Sequence, residues 1–155
     1  MQRMGFLHRF SAAFIDALLV MVAMLVVIIA AKILPAIPTV PSLAVPSMAL
    51  IAVAYTTLDI FQRGTLGKKV MGLEIRAASG EPGTPRQLAY RWMLKSSEMI
   101  CKALSLVTGL LVFAVLGNAA AYFVVVSGFF IFRESRQTLY DQMAKTAVFS
   151  TKAPV

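Results

Sequence analysis

The chain reads as an all-α membrane protein: a small polytopic transmembrane helical bundle with an interfacial helix and a short strand pair on its cytoplasmic side. Three observations predict this. Hydrophobic residues make up 59% of the 155 and charged residues only 14%, against the roughly 45–50% apolar content of a soluble domain. The apolar residues fall in runs long enough to cross ~30 Å of hydrocarbon at ~1.5 Å per helical residue. The formal charge of +8 comes from basic residues that flank those runs instead of lining one face, which fits membrane topology and anionic headgroups rather than nucleic acid. The expected partners are the lipid bilayer, its anionic headgroups and a second membrane chain or copy, with no nucleic acid. Residues 1–155 read as one domain.

The first span, about residues 11–34, follows a short basic leader with Arg3 and Arg9. The leader and run resemble a signal peptide, but the apolar run is long and Asp16 interrupts its start, so a retained helix is expected. An aspartate inside such a segment needs a partner, water or a job. Arg9 and Asp16 share a face, but seven residues or ~10.5 Å of rise separate them, so each is expected to serve a neighbouring helix. Lys32 can snorkel to the far interface. Pro35, Pro38, Pro41 and Pro46 stop the helix and stiffen the connection. The second span, about 43–61, gathers its polarity at its end in Tyr55, Thr56, Thr57 and Asp59.

Residues 62–97 form a basic cytoplasmic loop. Leu73–Ala77 alternates like a strand, Ser79–Gly83 is a turn, and Thr84-Pro85-Arg86-Gln87 is a capping-box helix start. The helix that follows, with Leu88, Trp92 and Leu94 among Arg86, Arg91 and Lys95, reads as interfacial. A single helix over 103–132 would be ~45 Å long, too long without steep tilt, and Gly117-Asn118 offers a turn. A hairpin also returns Arg133, Arg136 and Lys145 to the side of the basic loop. Four passes are therefore favoured over three, the last two short, at about 98–116 and 119–132. Residues 133–155 are then a cytoplasmic tail, in which Thr146–Ser150 is a strand expected to pair with Leu73–Ala77.

Cys101 and His8 stand alone in their kinds, which excludes an internal disulfide and leaves little for a cysteine-rich metal site, a zinc hydrolase or a histidine triad. No enzyme, cofactor or metal is expected. Asp16, Asp59 and Asp141 lie in or beside apolar spans, where they could bind a cation, relay protons or hold helices together. The local i,i+4 pairs Asp59–Arg63, Glu98–Lys102 and Asp141–Lys145 supply the structural reading. Gly64-Thr65-Leu66-Gly67-Lys68-Lys69 lacks phosphate-loop spacing and reads as a surface turn whose lysines face headgroups.

Arg9-Phe10 with Ala12 and Ile15-Asp16, then Gly64–Lys69 with Gly72-Leu73, then Arg91, then Gln137–Asp141 and Ala144–Val148 together resemble the RDD family of bacterial membrane proteins. The resemblance runs in order from Arg9 to Val148. It implies that Arg9, Asp16 and Asp141 are the family's arginine and two aspartates and that the chain lies in the bacterial inner membrane, while the charge asymmetry puts its N-terminus in the cytoplasm. Relatives often carry histidine where this chain has Tyr140, which removes a histidine relay there. A cation/proton antiport activity attributed to some members implies one class of function, a small oligomeric carrier using Arg9, Asp16 and Asp141, with Asp59, Arg63, Lys68 and Arg91 as secondary candidates. The other class is a non-transporting scaffold or accessory subunit in which the same charges are structural. In both, Arg9, Asp16 and Asp141 are expected to converge on one network, with the arginine between the carboxylates.

Overall fold

In the computed structural model, residues 3–33 and 51–151 are described. The proline-rich connection, the start of the second span and the Lys32 side chain therefore lie outside the described residues. Helix α1 (Phe6–Ile33) runs ~42 Å. Its later half is rich in valine and isoleucine, which a bilayer tolerates in a helix because backbone polar groups there must be satisfied within the segment. Helix α2 (Ile51–Phe61) breaks at Thr57. The hydroxyls of Thr56 and Thr57 donate back to the carbonyls of Val53 and Ala54 at 2.8 and 2.6 Å, the back-bonding that bends helices. The last turn, Leu58–Phe61, buries Asp59.

A short helix α3 (Leu66–Val70) leads into β1 (Leu73–Ala77). Thr84 and Gln87 close the expected capping box, and α4 (Pro85–Thr108) runs from it without interruption. Helix α5 (Leu111–Phe129) passes through a 3-10 turn (Phe130–Phe132) to α6 (Leu139–Met143) and β2 (Thr146–Ser150). The strands pair antiparallel as expected, with Ile75 opposite Val148 and Ala77 opposite Thr146. The leader adds a contact the sequence did not suggest: Met4 N–H donates to the Val148 carbonyl at 3.0 Å, and Arg3 bridges to Phe149. Ile75, Val148, Leu73, Leu88 and Ala12 form the buried apolar centre of this end.

The hairpin turn is not at Gly117-Asn118. It lies at Gly109, whose φ of 70° is left-handed, a C-cap conformation that costs glycine little. Gly117 instead sits inside α5 against α4, where an added Cβ would lie 3.1 Å from Lys102 Cγ and 3.4 Å from Cys101 Cβ. Both glycines look like breaks in the sequence; one lets two helices approach closely. The helices on either side of the turn are Pro85–Thr108 and Leu111–Phe129, where the sequence suggested segments at 98–116 and 119–132.

Among the described residues, two helices are long and apolar enough to cross a membrane, Phe6–Ala30 and Leu111–Phe132, while Ile51–Phe61 is apolar but shorter. The most apolar window of Phe6–Ala30 is only 6% buried inside the protein. The fold is thus mostly helical, with two candidate spans and a small sheet.

Candidate functional site

The site lies where α1, α2, α3, α4 and α6 meet, and it is built from ions. Asp141 occupies the third position of α6, and its place there is set locally. Its N–H donates to Thr138 Oγ1 while the Thr138 N–H donates to its carboxylate, a capping box at the start of the helix. The carboxylate is fully buried, receiving Arg9 Nη1 at 2.7 Å on one oxygen and Arg91 Nε at 2.6 Å on the other. Burial alone would push this carboxyl up, but Arg91 and Arg9 outweigh it and hold it below the ordinary carboxylate value.

Arg9 is fixed on all sides. Its Nε donates to the Met4 carbonyl at 3.1 Å and its Nη2 to the Arg136 carbonyl at 2.7 Å. Arg91 extends the network to α2, its Nη1 lying 3.2 Å from Asp59, and its guanidinium lies over the Tyr140 ring at 5.4 Å. Tyr140 thus stacks on a cation. Asp59 also takes Lys68 at 2.5 Å and Lys95 at 3.3 Å.

Asp16 joins none of these cations. It accepts from Tyr55 Oη at 2.6 Å, Thr65 Oγ1 at 2.5 Å and the Gly67 N–H at 2.7 Å. The expected convergence therefore divides. Arg9 and Asp141 pair directly, whereas Asp16 serves α2 and α3 as a neutral-donor acceptor, and the cation between two carboxylates is Arg91. The approach of α3 to Asp16 requires glycine, because a Cβ on Gly67 would fall 2.2 Å from the Ala12 carbonyl oxygen and 2.6 Å from Asp16 Oδ1.

Among the secondary candidates, Asp59, Lys68 and Arg91 belong to the network and Arg63 does not. Arg63 is half-exposed and pairs with Glu74 at 3.4 Å, so the expected Asp59–Arg63 pair is replaced by longer-range partners, as is Asp141–Lys145. Glu98–Lys102 forms as expected, at 2.6 Å. Lys68 also departs from the surface-turn reading. It points inward and is 13% exposed, while Lys69 reaches Gln62. Burial first, then Lys95 beside it, push the Lys68 ammonium down to about 7 against the pull of Asp59.

Lys95, Thr65, Tyr55 and Tyr140 complete the site, though none was among the expected site residues. Thr138-Leu139-Tyr140-Asp141 did carry a readable signal, a capping-box pattern. Lys95 lies four residues after Arg91, one helical turn along the same face. Arg9, Asp16, Lys68, Arg91, Lys95 and Tyr140 surround a small cavity of ≈ 110 Å³. What the arrangement can do is bind helices through charge and present cationic donors to that space.

The RDD family model matches residues 3–145. The comparisons with curated proteins and with solved structures each returned no match.

Proposed function

The chain belongs to the RDD family and is a membrane protein, and from that premise we propose that it is a non-transporting membrane scaffold or accessory subunit in which the charged network is a structural clamp. One observation carries this reading. Asp16, Asp59 and Asp141 each accept at least three hydrogen bonds or ion pairs from the protein itself, so a transported cation would have to displace donors already in place. Releasing one for a substrate would strand buried charge, which typically costs about 3–5 kcal/mol.

In this reading the membrane is the bacterial inner membrane, and the network layer, with the N-terminus, the basic loop and the tail, faces the cytoplasm. Arg3, Arg9, Arg91 and Arg136 all bond within that layer, which is the side the positive-inside rule assigns. Helices α4 and α5 are the third and fourth passes, turned at Gly109. Support comes from α4 leaving the network at Arg91 and α5 returning to it where Ser127 Oγ accepts from the Tyr140 N–H at 3.1 Å. The exposed apolar side of α1, with Met21, Val22, Leu25 and Val26, is the surface for lipid and for a second copy or a partner membrane chain.

The test is flux through proteoliposomes for several alkali cations across a pH series, wild type beside Asp16→Asn, with thermal stability measured on the same preparations. No flux above empty liposomes, together with a less stable variant, is expected. Cation flux in wild type that a folded Asp16→Asn protein loses would replace the scaffold with a carrier.

A further inference from the structure

The network is not charge-neutral. Among the described residues, Arg9, Lys68, Arg91 and Lys95 are met by the carboxylates of Asp59 and Asp141 and by Asp16 across the cavity, so one positive charge is left over among side chains of which Arg9, Lys68 and Arg91 are at most 13% exposed and Lys95 30%. Isolated buried charge is costly unless it is compensated. Donors remain as well as charge. Among the described residues, Lys68 and Lys95 each direct one hydrogen bond at Asp59, and Arg91 uses its Nε and one Nη, although an ammonium offers three donors and a guanidinium five. These groups border the cavity of ≈ 110 Å³, and since roughly 10–15 Å³ suffices for one water, there is room for one small polyatomic ion.

We infer that this cavity is a binding site for a single tetrahedral oxyanion of the phosphate type, held by Lys68, Lys95 and Arg91, and supplied either as free anion or as the headgroup of an anionic phospholipid. The charge and geometry of the cavity are the same whether the chain is a scaffold or a carrier. Asp16 does not block it, because its oxygens are covered by Tyr55, Thr65 and Gly67. The alternative way to remove the excess charge is loss of the Lys68 proton, which burial and Lys95 make accessible near neutrality. The two are linked, since an anion in the cavity would hold that proton on. Around Lys68 the charged and titratable groups are Arg9 and Asp16 from α1, Asp59 from α2, Arg91 and Lys95 from α4, and Tyr140 from α6. Of these, Lys68 is the group brought to about 7.

Sulfate is the suitable soluble probe, because its charge does not change over the pH range that titrates Lys68. Purified full-length protein, stripped of lipid in a neutral detergent, is titrated with sulfate at constant ionic strength set by chloride, and the unfolding midpoint and calorimetric binding are followed. Saturable binding of one sulfate per chain is expected, at least tenfold weaker at pH 8.5 than at pH 6. Lys68→Gln should abolish it. Lys95→Gln keeps Asp59 paired with Lys68 and Arg91 and brings the cluster to neutrality, so this variant should fold and bind sulfate at least tenfold more weakly. In a second arm, phosphatidylglycerol is added to the same micelles. Stabilisation of wild type but not Lys95→Gln by that lipid, without a sulfate response, assigns the site to a headgroup. If neither sulfate nor phosphatidylglycerol distinguishes wild type from folded Lys95→Gln, the inference is overturned.

Discussion

The first turns of α1 bury one face, at Ala12, while Leu7, Phe10 and Phe14 on the other stay exposed; its later turns bury almost nothing. Ala12 is 1% exposed and Asp16 is held by three donors, yet Met21, Val22, Leu25 and Val26, only a few turns away, are each 55–59% exposed. In a soluble protein this would be inside out. In the proposed membrane arrangement the hydrocarbon of the bilayer solvates the later turns, so burying them against protein adds little hydrophobic driving force. Specific structure is concentrated instead in the polar layer, where Asp59, Asp141, Arg91, Thr65 and Thr146 are almost fully buried. The difference teaches where this fold is vulnerable: to loss of charge pairing and of close backbone contact at one end, and little to changes of side-chain shape along the lipid-facing helix.

The largest effect should come from Arg91→Met, which removes the cation shared by Asp59 and Asp141. Breaking a buried pair from one side costs about 3–5 kcal/mol, and thermal unfolding in detergent should show a loss of that order. A loss under about 1 kcal/mol would mark the pair as an ordinary exposed one and erase the contrast between the two regions.

Next, the two packed glycines should separate the layers. Gly67→Ala forces a Cβ to 2.2 Å from the backbone oxygen of Ala12 and should cost at least the ~1–3 kcal/mol typical of overpacking. Gly117→Ala meets the flexible stem of Lys102 at 3.1 Å, which can move aside, so its cost should be under about 1 kcal/mol, within the range where alanine's helix propensity offsets it. Equal losses in the two variants would mean that the α4–α5 contact is as unyielding as the α1–α3 contact.

A more gradual effect, spread over several pH units, is expected from Lys68. Its folded value of about 7 lies below the ordinary lysine value of 10.5, so between those limits the unfolded chain holds a proton that the folded one has released. Stability should therefore rise with pH from about 7 toward 10, by at most about 1.4 kcal/mol per pH unit for one proton. Below pH 7 both states carry the proton and the dependence from this group vanishes. In Lys68→Met the slope should flatten, and an unchanged slope would place the titrating group elsewhere.

Much of the polar layer was legible because its signals are local. The capping box at Thr84 is formed by residues three apart, the strands Leu73–Ala77 and Thr146–Ser150 announce themselves by pattern and by the need of each for a ladder partner, and Glu98–Lys102 pair within one helix. Arg9 and Asp141 could be named from a resemblance spread over the chain, and they do meet.

Partner choice among the remaining ions could not be read in the same way. Asp59 had a helical neighbour in Arg63, but the break at Thr57 and the inward turn of α3 bring Lys68, Lys95 and Arg91 to it instead. Which of several cations reaches a carboxylate depends on how elements far apart in sequence are stacked, and charge attracts without specifying a partner. The glycines make the same point. Composition marks Gly67, Gly109 and Gly117 alike, and only the packing decides that Gly109 turns the chain while Gly67 and Gly117 admit a neighbouring helix. By itself the sequence determined the membrane class, the strand pair and the capped helix start, because these follow from hydropathy and from hydrogen bonds between near neighbours. The ion pairs, the cavity among them and the place of the hairpin turn were decided by the tertiary structure, because each depends on the distance between segments that no local pattern records.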